Sequence, residues 1–122
     1  MKNNYAFIDV SPYLISDTKS IYDAMKVIDY GEERICFVVS SSKKLIKVIS
    51  DGDIRRGLLS GLSITDSIGA IIHSDALVVP PGFTKDSALK LMELNQIAQI
   101  PIISDDKKIL GLYTRDHITQ NP

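Results

Sequence analysis

Ser50-Asp51-Gly52-Asp53-Ile54-Arg55-Arg56-Gly57 follows directly on the apolar run Leu45-Ile46-Lys47-Val48-Ile49. The run is short and β-branched, which suits a strand better than a helix. Ser50 stops the strand and can open a helix. Its hydroxyl can accept from the Asp53 N–H while the Asp53 carboxylate reaches back to the Ser50 N–H. That is a capping box with Asp in place of the usual Glu. A helix start presents free N–H groups and the positive end of the dipole, and both attract anions. Asp53 adds an acceptor suited to hydroxyl groups such as those of a ribose. Arg56, three residues on, shares its helix face. The same residues also read as a plain cap, with Arg56 paired to Asp53 and Arg55 to Asp51.

The 122 residues suffice for one domain and are too few for two ordinary ones. A 44% hydrophobic content allows a real core, and a formal net charge of −1 gives no reason to expect nucleic acid or an anionic membrane as partner. Cys36 is the one cysteine, which rules out an intramolecular disulfide and a cysteine metal cage. Its apolar neighbours predict a buried, inert thiol. The first residues lack the apolar segment of a signal peptide, and no apolar run approaches a membrane span. A cytoplasmic protein is the expectation.

Upstream, Tyr13-Leu14-Ile15 reads as a short extended piece. Ser20-Ile21-Tyr22-Asp23 is a second capping box, opening a helix with Ile21, Ala24, Met25 and Ile28 on one apolar face. Gly31 is expected to close that helix as a glycine cap. Ile35 to Val39 is a buried strand, and Ser40 to Lys44 a polar turn. The helix from Ser50 should run to about Ser60, with Gly61 as its stop. Thr65-Asp66-Ser67-Ile68 is expected to cap a short helix. His73 stands alone near its end, with no partner ligand at a metal-binding spacing.

The pattern then restarts. Ala76 to Val79 is extended, and Pro81-Gly82 fits the centre of a type II turn. Thr84 opens a helix bearing Ala88, Leu89 and Met92. Gln99 to Ile103 is a strand, Ser104 to Lys108 a turn, Ile109 to Tyr113 a strand, and Thr114 begins a last helix. The halves match without a gap: Ala24 falls on Ala88, Lys43-Lys44 on Lys107-Lys108, Ser50 on Thr114 and Ile54 on Ile118, a constant offset of 64. A unit of about 55–60 residues would be marginal alone, because so small a unit buries too little surface. Two copies sharing one core, in pseudo-two-fold packing, would bring the two capped helix starts into related clefts.

This order, seen twice, resembles a pair of cystathionine-β-synthase-type (CBS) domains, the regulatory unit also called a Bateman module. The family's repeat ends in an apolar strand, often with Gly, then Thr or Ser, two residues, Asp and an apolar residue. Ser50-Asp51-Gly52-Asp53-Ile54 satisfies that pattern, and Leu110-Gly111-Leu112-Tyr113-Thr114 its first part. Ile100-Pro101-Ile102-Ile103 is similar to the family's strand with Pro before two apolar residues. The resemblance implies an α/β (α+β) fold of two tandem repeats, 10–64 and 74–122, with pseudo-two-fold symmetry in one module. It implies an adenine nucleotide, AMP, ADP or ATP, as ligand, with Asp53 on the ribose and Ser50 and Thr114 near phosphate. The base would lie around Ser16, Phe37, Pro80 and Pro101. Where the family places the second Asp this chain has His117, a weaker partner for ribose. Asp116 is one step away, rotated by roughly 100° about the helix axis.

The resemblance further implies a homodimer and an effector domain, covalent or partner. The Ser-Asp-Gly-Asp-Ile-Arg-Arg wording is similar to modules that precede sugar-nucleotide transferase domains and that follow sugar-phosphate isomerase domains. A module at the N-terminus, as here, favours the former. Three functions stand open: a nucleotide sensor with no chemistry of its own, a ligand-free structural dimerisation module, and an enzyme using Asp51 and Asp53 as an Asp-x-Asp metal site. The last is disfavoured because residues two apart on a helix point to different faces.

Overall fold

A computed structural model of the chain describes residues 7–72 and 77–120. His73 and Ala76 lie outside the described residues. The chain divides into two compact units, one of Ser11–Ala76 and one of Met1–Val10 with Leu77–Pro122.

In the first unit a 3-10 turn, Ser11–Tyr13, leads into strand β1, Leu14–Ser16. Only the last part of the expected extended piece is therefore strand. Ser20 caps helix α1, Ile21–Tyr30, through the reciprocal bonds of a capping box, and Ile21, Ala24 and Ile28 are buried. Gly31 closes α1, but in extended geometry (φ −82°, ψ 161°) and not as the left-handed glycine cap the sequence suggested. The glycine answers a close approach. A Cβ there would lie 2.7 Å from Cε1 of Tyr13.

Strand β2, Ile35–Val39, is buried along its whole length, as a continuous apolar run predicts for a strand covered on both faces. It pairs in parallel with β1 and antiparallel with β3, Leu45–Ser50. Cys36 and Val38 alternate inward to join Ile15, Ile21, Ala24, Ile28, Ile49 and Ile54 in the core. Burial pushes the Cys36 thiol pKa up to about 12, so it stays protonated. Helix α2, Asp51–Leu59, follows β3 with no intervening loop, and Gly61 beyond it takes φ +110°. The next short element is a 3-10 turn, Ile68–Ala70, capped by Ser67 and not by Thr65. Asp66 turns back instead to accept from the Ser63 N–H. Lys47 donates to the carbonyls of Gly69 and Ile71, tying this segment to β3.

The second unit repeats the plan. Val79 bridges Ile102 in parallel, Gly82 takes φ +87° in the turn, and Thr84 caps helix α3, Lys85–Asn95. Strand β4, Gln99–Ile103, pairs antiparallel with β5, Ile109–Thr114, which runs into helix α4, Arg115–Gln120. The offset of 64 holds in detail. Both hairpins carry a register shift at the equivalent step, Val38/Val39 and Ile102/Ile103. Both place a lysine at positive φ in the turn, Lys43 at 68° and Lys107 at 69°. Ala24 and Ala88 are each fully buried, each in its own unit's core.

One element has no counterpart in the sequence reading. Ile8 bridges Leu112, with N–H to carbonyl bonds of 2.8 and 3.0 Å in the two directions. The residues before the first repeat thus complete the second unit. The Phe7 ring lies over Gly111 and meets Tyr113 edge-on, centroids 6.2 Å apart. The Tyr113 hydroxyl donates to the Phe83 carbonyl.

Candidate functional site: the first turn of α2

Ser50 ends β3 in extended geometry (φ −99°, ψ 166°), and its side chain accepts from the Asp53 N–H at 3.1 Å. Asp53 Oδ2 accepts from the Ser50 N–H at 2.9 Å. Asp53 Oδ1 accepts from Arg56 Nη2 at 2.7 Å. The Asp53 side chain is 12% exposed and the Arg56 side chain 69%. The carboxylate is therefore fixed at the mouth of the helix start while its cation projects into water. Arg55 faces Asp51 at 3.5 Å, an exposed pair. Each aspartate has its own arginine, so Asp51 and Asp53 do not converge on a shared point. Among the described residues no three His, Cys, Asp or Glu side chains cluster as a metal site would require.

Both halves of the plain-cap reading are thus present in the geometry, and α1 provides a control inside the same unit. Ser20 and Asp23 make the same reciprocal bonds, and Lys26 lies 3.4 Å from Asp23. Hydrogen bonds from the Ser20 N–H and hydroxyl, then Lys26, hold the Asp23 carboxyl below the usual carboxylate range. What sets α2 apart is its second helical position. Gly52 stands there, where α1 has Tyr22. A Cβ on Gly52 would lie 3.2 Å from Nη1 of Arg56 and 3.6 Å from Nη2 of Arg55. Both guanidinium groups therefore gather over bare backbone at the positive end of the helix.

Of the other sequence-predicted residues, Ser16 ends β1 half-buried, bonded to the Thr18 hydroxyl at 3.0 Å. It lines a small cavity of about 230 Å3 with Val39, Ser40 and Lys43. Phe37 is fully buried in β2, so its ring presents no open face to a ligand. Ser16, Phe37, Ser50, Asp53 and Arg56 all belong to the first unit. Pro80, Pro101, Thr114 and His117 belong to the second. Pro80 is exposed and Pro101 buried. Thr114 is buried to 1% exposure, and its hydroxyl accepts from the His117 N–H at 3.1 Å. It caps α4 with half the device that Ser50 uses. A roomier groove of about 980 Å3 lies between α1 and α2, lined by Met25, Arg34, Asp51, Arg55 and Leu58 among others. Neither Ser50 nor Asp53 lines it, so the carboxylate serves a different surface. Sequence reasoning overlooked Gly52, whose signal was present: a glycine inside the first turn of a helix costs stability unless something needs the space.

The family model for the CBS domain matches residues 7–60 and 68–121. The chain belongs to the CBS domain family and carries two such domains in tandem. It is 33% identical over 114 residues to an inosine-5'-monophosphate dehydrogenase of Nitrosopumilus maritimus, covering 91% of this chain and 22% of that enzyme. In fold it is similar to the CBS domains of a transcriptional regulator from Streptococcus pneumoniae, with a TM-score of 0.77 at 14% identity over 93% of this chain and 92% of that one. It is similar also to CBSX2, solved in complex with AMP, with a TM-score of 0.73 at 19% identity over 93% and 94% of the two chains. The mixed helix and strand architecture is the one these relatives share. Among the described residues no helix is long and apolar enough to cross a membrane.

Proposed function

We propose that this chain is a nucleotide-sensing regulatory module whose two repeats, 10–64 and 74–122, form one cytoplasmic unit acting on an effector domain. The ligand is an adenine nucleotide, AMP, ADP or ATP. It binds predominantly through the first repeat, with Asp53 receiving the ribose hydroxyls and Ser50 and Arg56 near phosphate. Ser16 is the base-side candidate of the first repeat, since the buried Phe37 ring is closed to a ligand, and Pro80, Pro101, Thr114 and His117 are the candidates of a lesser second-repeat site. The observation that carries this reading is the Asp53 carboxylate. It is held rigid by the Ser50 N–H at the start of α2 and paired outward to an exposed arginine. Membership of the CBS family and likeness to a protein solved with AMP support the ligand class.

The effector is a covalent or partner enzyme domain. The match to about a fifth of a longer dehydrogenase supports a fused arrangement. A sugar-nucleotide transferase as that enzyme rests on the Ser50–Arg56 wording alone. The module works as a homodimer, for which light scattering at micromolar concentration should give twice the chain mass.

Thermal melts test the ligand. At a hundredfold excess over its dissociation constant, a native-state ligand adds about 2.7 kcal/mol. Asp53→Ala should remove most of that shift and His117→Ala little of it, each variant compared with its own ligand-free melt. The rival reading, a ligand-free dimerisation module, draws on the repetition of the same cap geometry at α1. It prevails if millimolar AMP, ADP and ATP all leave the melt unmoved.

A further inference from the structure

The groove between α1 and α2 has an apolar floor. Ile28 and Ile54 are buried at its base, Met25 and Leu58 are half-buried along it, and Leu59 is exposed. At the end of α1 Tyr30 is 86% exposed, and at the equivalent place in the second repeat, on α3, Leu94 is 81% exposed. A single exposed apolar side chain is ordinary, but the same position left exposed in both repeats, beside an apolar groove, marks a contact surface. A partner serving both places must itself present two related surfaces, and a second copy of this chain does.

Charge decides which surfaces meet. In the groove Asp51 pairs with Arg55, and Lys26 with Asp23, whereas Asp29, Glu32 and Arg34 make no ion pair among the described residues. The uncommitted charge of the groove is therefore mainly acidic. In the second repeat, 64 residues on, Asp29, Glu32 and Arg34 become Glu93, Gln96 and Ala98, while Lys26 and Asp51 become Lys90 and Arg115. Lys90 and Arg115 are exposed and make no ion pair among the described residues. The α3 and α4 surface is therefore mainly basic. Asp51 against Arg115 is an outright reversal of sign at one equivalent position.

We propose that the α1/α2 groove of one copy receives the α3/α4 surface of a second copy, head to tail. This rests on the homodimer reading given above and names the surfaces that make it. The apolar floor and Leu94 supply affinity, and the acidic groove facing Lys90 and Arg115 fixes the orientation. The other orientation, groove to groove, opposes acid with acid and base with base, and like charges brought together across an interface are costly. In a two-fold dimer the head-to-tail contact occurs twice, so the charge match counts twice.

Sedimentation equilibrium of the whole chain tests the orientation through the dimer dissociation constant. The four side chains to be changed are all exposed. Asp29→Lys with Glu32→Lys makes the groove basic and should weaken the dimer at least about tenfold. Lys90→Glu with Arg115→Glu makes the opposite surface acidic and should do the same. All four together restore the match with its signs exchanged and should return the dimer to within about threefold of the wild type. Neutral pairs, Asp29→Asn with Glu32→Gln and Lys90→Gln with Arg115→Gln, should weaken it in the same direction and serve where a reversal disturbs folding. A groove-to-groove dimer predicts the opposite for the fourfold variant, which then carries both repulsions and associates more weakly than either pair. That result, or pair variants that associate as the wild type does, overturns the proposal while the homodimer stands. A wild type that sediments as a monomer at micromolar concentration overturns both.

Discussion

Replacing Gly111 by alanine should destabilise the second unit, and the cause can be isolated. A Cβ at Gly111 would lie 2.9 Å from Cε2 and 3.2 Å from Cγ of Phe7, with Cδ2 closer still. The ring is the body of a side chain and not a flexible tip. It must move as a whole, against the two backbone bonds that hold Ile8 to Leu112. Forcing a methyl group into a filled space costs about 1–3 kcal/mol. Displacing the ring from its edge-on contact with Tyr113 adds about 0.5–1.5 kcal/mol. In a Phe7→Ala background the same methyl group enters open space. There the lower backbone entropy of alanine remains, a gain of about 0.5–1 kcal/mol. A double-mutant cycle by urea denaturation should therefore show Gly111→Ala costly alone and neutral or mildly stabilising beside Phe7→Ala. The coupling should be about 1.5–4.5 kcal/mol, the sum of those two costs, since the backbone gain is common to both backgrounds. An equal cost in both backgrounds would mean that Gly111 is required for some reason other than Phe7, and the packing account would fail.

Two further outcomes can be checked by melts. Lys43 and Lys107 hold left-handed backbone at φ 68° and 69°, which costs a non-glycine residue about 1–2 kcal/mol. After subtracting the entropy glycine loses on folding, Lys43→Gly and Lys107→Gly should each stabilise by about 0.5–1 kcal/mol; a loss of stability in either would contradict the turn geometry. The pH dependence of Asp23 has a defined sign. Its folded pKa is depressed by bonds from Ser20 and by Lys26, so its contribution is present above the unfolded value and goes as pH falls through the folded one. The stability gap between wild type and Asp23→Ala should hold steady above about pH 5 and narrow below about pH 4. A gap that widens in acid would reverse the assignment.

The strands and capped helices were legible because each rests on local chemistry. β2 and β4 fall where continuous apolar runs placed them. Ser20, Ser50 and Thr84 cap as their spacing required. The features that escaped depend on residues far apart in the chain or on backbone that side chains do not announce. Nothing near Gly31 reveals that Tyr13 will press on it, and nothing near Phe7 reveals Leu112. Lysine at a left-handed turn position runs against propensity, so Lys43 and Lys107 looked like ordinary loop charges. The site shows a different limit. Ser20-x-x-Asp23 and Ser50-x-x-Asp53 are the same local signal with the same hydrogen bonds, so the cap motif could not separate them. Tyr22 against Gly52 does, through the space each leaves for a neighbouring cation.

The bridge between Ile8 and Leu112 also bears on the order of events during synthesis. Ile8 leaves the ribosome well before its partner Leu112, which is made roughly a hundred residues later, a delay on the order of 5–20 s at ordinary translation rates. The unit Ser11–Ala76 can close in that interval, since all its strand partners lie within it. Phe7-Ile8-Asp9-Val10 meanwhile stays a short apolar segment with unpaired backbone, open to other nascent chains. Asp9, exposed in the finished fold, puts a charge in the middle of that segment. A single acidic residue flanked by apolar ones is an effective guard against premature strand pairing. Asp9→Val should lower the soluble yield of the chain, and an unchanged yield would rule the guard out.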